Sequence, residues 1–218
     1  SVPYWQKRII FESRCRCKPV IVATQMLDSM IRNPIPTRAE VSDVAGAIYD
    51  GTDAIMLSGE TAMGNFPLES VQMASRIAGF NARFVSFVSD VQKIMDDNSD
   101  LSSAISFGAW EIAQNLKLPV MVTATYSGST ARRISRFRPN IPILAFSPQL
   151  RVLRHLKLSY GVIPLTMNIC TEPSELIEEV KKLTLTSGLG KKGDKIVITA
   201  GIPMQKSGFT NLLQVEEL

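Results

Sequence analysis

The chain has 218 residues, of which 45% are hydrophobic and 20% charged, and this composition excludes a disordered protein. The net charge of +4 is mild and no basic cluster is interleaved with aromatic residues, so we expect no nucleic-acid partner. No apolar run reaches 18 residues, so the sequence predicts no membrane-spanning helix and no membrane partner.

Cysteine and histidine usage indicates reduced thiols and no zinc site. The cysteines Cys15, Cys17 and Cys170 are few and odd in number, which is typical of a cytoplasmic protein. Cys15 and Cys17 have no second cluster near them in the sequence, whereas a zinc ion normally needs four ligands. We therefore expect a cytoplasmic protein and no metal ligands in this chain.

The first third of the chain predicts helices that alternate with two short strands. The predicted helices cover residues 1–17 and 37–49, and a helical turn covers 25–31. A buried strand is predicted at 19–24 and a second strand at 53–57. Thr37 and Glu40 form a capping-box pattern at the start of the second helix. Each strand ends in a hydroxyl residue, Thr24 or Ser58, and ligands bind at the carboxyl ends of parallel strands. For either residue alone, capping of the next helix is an equally good interpretation.

A helix that opens at Pro67 and a linking helix over residues 80–98 lead to a polar boundary. The later part alternates helices and strands. The helices are predicted at 101–115, 130–137, 148–158 and 174–186, and the strands at 120–124, 143–146, 162–165, 195–200 and 212–215. This alternation predicts an open, mostly parallel α/β sheet with helices on both faces and an antiparallel last strand. The predicted domains are residues 1–88 and 89–218.

A hydroxyl-rich loop follows the strand at 120–124, with the sequence Thr125, Tyr126, Ser127, Gly128, Ser129 and Thr130. Such a loop before a helix exposes backbone N–H groups and hydroxyls, which together can hold a phosphate. The alternative is a Ser/Thr-rich turn with an ordinary helix cap, and residues alone leave both open.

Three motifs in order, ATQMLDSM, PTRAEVSDVA and DGTDAIMLSGETA, resemble the end of the barrel domain of pyruvate kinases, and the rest resembles their carboxy-terminal domain. The resemblance implies the last two strands of a (β/α)8 barrel followed by a regulatory α/β domain. It implies a glycolytic enzyme, with Mg²⁺ or Mn²⁺ and K⁺, that transfers phosphate from phosphoenolpyruvate to ADP, giving pyruvate and ATP. It also implies a cytoplasmic homotetramer under allosteric control.

The resemblance assigns roles to the two strand-end hydroxyls. It implies that Thr24 contacts phosphoenolpyruvate or pyruvate and holds a water in a proton relay, and that Ser58 lines the same site. Glu60 is interpreted as a support behind the site, and Asp53 as structural. The family's metal-binding carboxylates, its phosphoryl-contacting lysine and its lid domain have no counterpart in this sequence. We therefore expect an inactive fragment that binds no cofactor by itself.

The resemblance also implies that the loop Thr125 to Thr130 holds a phosphate of an allosteric effector. A second loop, with Lys206, Ser207, Gly208 and Phe209, is implied to close over it. Tyr126 stands where members that respond to fructose 1,6-bisphosphate often carry a lysine. The effector could therefore be a sugar monophosphate or a nucleotide monophosphate instead of fructose 1,6-bisphosphate. The competing hypothesis is a non-enzymatic sensor that binds a phosphorylated ligand through this loop.

Overall fold

Two sheets organise the chain, and the computed structural model describes residues 1–96, 100–203 and 209–218 of it. The chain divides into two compact units. The first comprises Ser1–Arg14 and Pro19–Phe87, and the second comprises Cys15–Lys18 and Val88–Leu218. Within the described ranges, no helix is long and apolar enough to cross a membrane.

The first unit is built on a two-stranded parallel sheet. Its elements in chain order are α1 (Val2–Cys15), β1 (Ile21–Val22), α2 (Arg38–Asp50), β2 (Ala54–Ile55), α3 (Gly59–Ala62) and α4 (Pro67–Asn81), with one-turn 3-10 helices at Asp28–Ile31 and Ala82–Phe84. The helix α1 ends at Cys15, which belongs to the second unit.

The boundaries of α2 follow from local chemistry. Thr37 and Glu40 form the predicted capping box, in which each side chain accepts a hydrogen bond from the other residue's backbone N–H. The Glu40 carboxylate also accepts hydrogen bonds from the N–H and hydroxyl of Ser29, both at 2.6 Å. Burial raises the pKa of Glu40, but the hydrogen bonds from Ser29 and Thr37 together outweigh it and hold that pKa below its ordinary value. Gly51 ends the helix with a φ of 82°, a left-handed conformation that suits glycine.

A small apolar core holds the first unit together. It is formed by Met26, Leu27, Met30, Val44, Ala47, Ala74 and Ile77, which come from the loop after β1, the first 3-10 helix, α2 and α4. The loop after β1 is therefore fixed at its far end by Met26 and Leu27, both buried.

Both strands predicted at 19–24 and 53–57 were too long, and the first was wrongly predicted to be buried. Each strand pairs over two residues only, Ile21 with Ala54 and Val22 with Ile55, and Ile21 is 45% exposed. The physical reason is that a strand is as long and as buried as its neighbours make it, and each of these strands pairs only with the other among the described residues.

The linking helix predicted within residues 80–98 is divided into two parts. The helix α4 ends at Asn81 and a 3-10 turn follows. Val85 then adopts an extended conformation, with φ −94° and ψ 135°, which interrupts the helix. The next helix starts at Val88. The last part of the predicted helix lies outside the described residues.

The second unit contains a five-stranded sheet. Its elements are α5 (Val88–Asp96), α6 (Leu101–Asn115), β3 (Met121–Ala124), α7 (Ser129–Ser135), β4 (Ile143–Ser147), α8 (Leu150–Leu156), β5 (Val162–Thr166), α9 (Pro173–Ser187), β6 (Lys195–Ala200) and β7 (Leu212–Glu217). The strand order is β5-β4-β3-β6-β7, in which only β7 is antiparallel among the described strands. The predicted open, mostly parallel α/β sheet with an antiparallel last strand at an edge is confirmed.

Burial explains why these strands are apolar without alternation. Every residue of β3 and β4 is buried, and β6 is buried after Lys195. Val122 and Ile198 from neighbouring strands join Leu176 and Val180 of α9 in one core cluster. The sheet is thus a rigid base for the loops that leave its carboxyl end.

Candidate functional site

Thr24 and Ser58 lie just beyond the carboxyl ends of β1 and β2. Val22 pairs with Ile55, and the N–H of Met56 donates to the carbonyl of Val22 at 2.9 Å, so the paired strands end at the same edge. Both Thr24 and Ser58 are exposed. Within the described part of the chain, no hydrogen bond occupies either hydroxyl, which leaves both available to a ligand.

Helix capping does not explain either hydroxyl. The 3-10 helix after Thr24 begins at Asp28, and its N-cap residue is Leu27. Ser58 occupies the N-cap position of α3, but its side chain makes no capping hydrogen bond. Neither hydroxyl therefore serves as a helix cap.

The backbone at Thr24 is strained. Thr24 has a φ of 73° and Gln25 a φ of 53°, which place two consecutive non-glycine residues in the left-handed region. For a β-branched residue this conformation is a clear outlier, and such outliers concentrate at functional sites. The strain is the local feature that most distinguishes this loop from an ordinary connection.

Glu60 connects the two strand-end loops from behind. Its side chain is buried, with 2% exposure for the residue. One carboxylate oxygen accepts from the N–H of Leu27 at 3.0 Å, and the other accepts from the N–H of Ser58 at 2.7 Å. This geometry agrees with the interpretation of Glu60 as a support behind the site. Asp53 instead accepts from the N–H of Val20 at 3.0 Å, before β1 and β2 begin.

One cavity, of about 520 Å³, lies in the first unit, and another, of about 340 Å³, lies in the second unit. Thr24, Gln25 and Met26 form one wall of this larger cavity, and residues of α1 and α2 form the others. Ser58 does not line it. The structure therefore places Thr24 on a cavity of ligand size and leaves Ser58 outside that wall.

The hydroxyl-rich loop after β3 lies at the point where the strand order of the large sheet reverses. The chain passes from β3 to β4 on one side, whereas β6 pairs with the other edge of β3. Open α/β sheets bind ligands at such a switch point, outside the carboxyl ends of the strands. The loop that follows β3 flanks this crevice, as do the described residues 201–203 that follow β6.

Hydrogen bonds within the loop separate its hydroxyls into two groups. The Thr125 hydroxyl accepts from the N–H of Gly128 at 2.9 Å, and the Thr130 hydroxyl lies 2.8 Å from that of Thr210 in a buried pair. The Ser127 hydroxyl donates to Ser129 at 3.1 Å, and both residues are half-buried, as is Tyr126. Ser127 and Ser129 are thus better placed for a ligand than Thr125 and Thr130.

Gly128, not a hydroxyl residue, caps α7. Its φ is 80°, and a Cβ on this residue would meet a guanidinium nitrogen of Arg132 at 2.8 Å. Arg132 in turn donates to the carbonyl of Ser127 at 3.4 and 3.5 Å. Glycine is therefore favoured here by the left-handed backbone conformation, and any other residue would also require the Arg132 side chain to shift.

The loop after β6 lies partly outside the described residues, and these include Lys206, Ser207 and Gly208. Phe209 is described, and its carbonyl oxygen would clash with a Cβ at Gly201, so the two ends of the loop approach closely there. Asn211 closes the base, since its side chain accepts from the N–H of Ile202 and donates to the carbonyl of Ile202, both at 2.8 Å. No pattern in the sequence predicted these two hydrogen bonds.

Comparisons with known proteins identify relatives of both parts of the chain. The family model described as pyruvate kinase, barrel domain, matches residues 1–71, and the one described as pyruvate kinase, alpha/beta domain, matches residues 103–216. The pyruvate kinase of Clostridium acetobutylicum is 44% identical over 99% of this chain and 46% of its own length. That of Thermotoga maritima is 43% identical over 99% of this chain and 45% of its own length.

A solved structure is similar as well. The crystal structure of a pyruvate kinase from Cryptosporidium parvum matches with a TM-score of 0.88 and 33% identity, over 97% of this chain and 42% of that one. The chain spans about half the length of the curated relatives that it matches. Because the alpha/beta domain model alone covers more than half of the 218 residues, the chain belongs to the pyruvate kinase family.

Proposed function

We propose that this chain forms the end of the barrel and the carboxy-terminal domain of an enzyme that transfers phosphate from phosphoenolpyruvate to ADP. The domains are residues 1–88, which belong to the catalytic barrel, and 89–218, which are regulatory. The observation that carries the proposal is the strained, exposed Thr24 on the wall of a cavity, in a segment that matches the family's barrel domain. That match also speaks against the non-enzymatic sensor.

In this proposal Thr24 handles a proton. Its hydroxyl donates and accepts hydrogen bonds at once but is a poor acid, so it passes a proton through a held water to the enolate carbon of the product. Ser58 lies beside the same strand edge and contacts the substrate or its water shell. Glu60 keeps both loops in place, since one carboxylate oxygen holds each of them.

The divalent ion does not fit the residues described in this chain. No group of three histidine, cysteine, aspartate or glutamate side chains lies together in the described ranges. Glu60, the buried carboxylate near the site, has a backbone N–H on each oxygen. We therefore assign Mg²⁺ or Mn²⁺, K⁺ and the lysine that contacts the phosphoryl group to parts of the enzyme outside these residues, in a cytoplasmic homotetramer.

The activity itself gives the first test. The 218-residue chain alone should form no ATP from phosphoenolpyruvate, ADP and Mg²⁺, because the groups that stabilise the transferring phosphate supply most of the catalysis. A longer protein with the same segment and a complete barrel should form ATP under the same conditions. ATP formation by the chain alone, at a rate above that of a heat-denatured control, would overturn this division of roles.

We further propose that the loop Thr125 to Thr130 holds the phosphate of an allosteric effector, a sugar phosphate or a nucleotide monophosphate. The support is its position at the switch point of the sheet and the half-buried hydroxyls of Ser127 and Ser129. Lys206, Ser207, Gly208 and Phe209 would close over the ligand from the loop after β6.

Calorimetric titration of the chain with ribose 5-phosphate and with AMP tests the effector site. Replacing Ser127 and Ser129 together with alanine should weaken binding by about 10²-fold, since each hydrogen bond to a charged phosphate contributes about 1.5–3 kcal/mol. Binding should not vanish, because backbone N–H donors remain. The matched control is Ser174→Ala on the exposed start of α9, which should bind normally.

Thr130 serves as a second control. Thr130→Ala should weaken binding only through the lost contact with Thr210, so its effect should be accompanied by reduced stability. If neither ligand gives heat with the unmodified chain, the loop is an ordinary turn and the regulatory proposal fails.

A further inference from the structure

A basic cavity lies beside α7 in the second unit, and its arginine and lysine residues belong to neither the proposed catalytic site nor the proposed effector loop. It has a volume of about 340 Å³ and lies between the turn Cys15–Lys18 and α7. We name it the arginine pocket. Its charged lining consists of the cations Arg16, Lys18, Arg132, Arg133 and Arg136 and the carboxylate of Asp100. Five cations against one carboxylate give the lining a formal net charge of +4.

The helical repeat brings one wall of the pocket together. Ser129, Arg132, Arg133 and Arg136 are spaced by three, one and three residues, which places them on one face of α7 and its C-cap. The opposite wall comes from the turn after α1, where Cys17 has a left-handed φ of 54°. Residues that are more than a hundred positions apart in sequence thus line one space.

The carboxylate in the pocket is already engaged. Asp100 accepts from Arg133 at 3.0 and 3.1 Å, and it also caps α6 by accepting from the N–H of Ser103 at 2.7 Å. Arg132, by contrast, donates only to the carbonyl of Ser127 among the described residues, and at long distances of 3.4 and 3.5 Å. Its positive charge therefore faces no carboxylate in that part of the chain.

Arg136 is more deeply placed. It is 2% exposed, donates to the sulfur atoms of Cys17 at 3.7 Å and Met95 at 3.9 Å, and lies 4.8 Å from the ring centre of Phe137. Burial lowers the pKa of both Arg132 and Arg136 below the ordinary value for arginine, and the Cys17 sulfur opposes this only in part. The half-buried Arg132 guanidinium therefore carries a charge that faces no carboxylate among the described residues, and a bound anion would offset part of the cost of its burial.

We propose that the arginine pocket binds a small phosphorylated anion, at a site that adjoins the loop Thr125 to Thr130 at Ser129 but is formed mainly by the turn Cys15–Lys18 and the arginines of α7. Guanidinium groups match the geometry of phosphate oxygens and donate two hydrogen bonds at once. The volume is sufficient for a phosphate with a short organic group. Because Ser129 lines the pocket and Arg132 also donates to the carbonyl of Ser127, a ligand in the pocket would contact the effector loop directly at Ser129 and through Arg132 at Ser127.

Cys17 supplies a direct reporter of occupancy. It lines the pocket and is half-buried, whereas Cys15 and Cys170 are buried. The experiment measures the rate at which iodoacetamide modifies Cys17 in the whole chain, followed by mass spectrometry of the Cys17 peptide. Inorganic phosphate should slow this rate at least 5-fold at saturation, while sodium chloride at equal ionic strength should not.

Charge variants locate the binding site. Arg132→Gln should raise the phosphate concentration for half protection at least 10-fold, since an arginine–phosphate pair is a strong charge-assisted interaction. Arg151→Gln, on the exposed face of α8, is the matched control, and phosphate should protect Cys17 in this variant as it does in the unmodified chain. Lys18→Gln changes an exposed residue at the rim of the pocket. It should raise the phosphate concentration for half protection about 3-fold without loss of folding. It keeps the test valid if Arg132→Gln does not fold.

The outcomes separate the possible explanations. Equal protection by phosphate and chloride, or protection unchanged in both Arg132→Gln and Lys18→Gln, would overturn the proposal. Protection lost in Ser127→Ala and kept in Lys18→Gln would place the anion on the effector loop and would also overturn it. The concentration that gives half protection is compared for ribose 5-phosphate and inorganic phosphate. A lower concentration for ribose 5-phosphate identifies a phosphate ester as the ligand, and equal concentrations identify free phosphate. Either result supports the pocket.

Discussion

Replacing Glu60 with alanine is expected to destabilise the first unit by about 3–5 kcal/mol, the range found when one partner of a buried charged interaction is removed. The carboxylate is buried and accepts from the backbone N–H groups of Leu27 and Ser58. Its loss leaves a cavity and two N–H donors without acceptors, and each unsatisfied buried donor costs about 1–3 kcal/mol. The loops that carry Thr24 and Ser58 should therefore separate first.

Hydrogen–deuterium exchange with mass spectrometry measures this effect where it arises. Peptides that span residues 22–31 and 55–64 should lose protection in Glu60→Ala, while peptides from β4 should not change. The matched control is Glu69→Ala on the exposed first turn of α4, which should cost less than about 1 kcal/mol. Equal protection in the two variants would show that Glu60 does not hold the site.

Replacing Thr24 with alanine should lower turnover of the full-length enzyme by about 10²-fold, the usual scale for a lost proton-transfer group. Thr24→Ser keeps the hydroxyl and should retain most of the activity. Thr24→Gly removes the hydroxyl and also the strain, because glycine accepts the φ of 73° at little cost. The glycine variant should be about 1 kcal/mol more stable than the alanine variant and equally slow.

Steady-state kinetics and urea unfolding of the three variants test this combination. If Thr24 is catalytic, the variant that keeps the hydroxyl, Thr24→Ser, should keep its activity. The variant that relieves the backbone strain, Thr24→Gly, should be more stable than Thr24→Ala. If Thr24→Gly has normal turnover, the hydroxyl is not needed. If Thr24→Ser is as slow as Thr24→Ala, the methyl group is what matters, and the relay is wrong.

The second unit was predictable because its signals are local. The strands β3, β4 and β6 are apolar runs separated by segments with helical periodicity, and their burial on both faces explains those runs. The helix α6 was predicted over 101–115 and is observed as Leu101–Asn115. Local signals also located α2, because its capping box marks the start of the helix and Gly51 marks its end.

The first unit was less predictable because its limits depend on partners. Nothing in the run Val20, Ile21, Val22 shows that only two residues pair, since pairing is set by β2, more than thirty positions away. The break at Val85 was hidden for a related reason. The apolar spacing continues through it, and only the extended backbone reveals the interruption.

The candidate site divides in the same way. Thr24 and Ser58 were visible as hydroxyls at predicted strand ends, a property of the local sequence. The two hydrogen bonds of Glu60 were not, because one of them spans 33 residues. The arginine pocket was still less visible, since its Arg136–Cys17 contact spans 119 residues.

The most direct test of the account is exchange of the methyl protons of pyruvate with deuterated water, catalysed by the full-length enzyme with Mg²⁺ and followed by proton NMR. This exchange isolates the proton step assigned to Thr24, without phosphate transfer or product release. If Thr24 carries the proton, exchange is expected with the unmodified enzyme and with Thr24→Ser, and it should be about 10²-fold slower in Thr24→Gly. Exchange at the normal rate in Thr24→Gly would contradict this role.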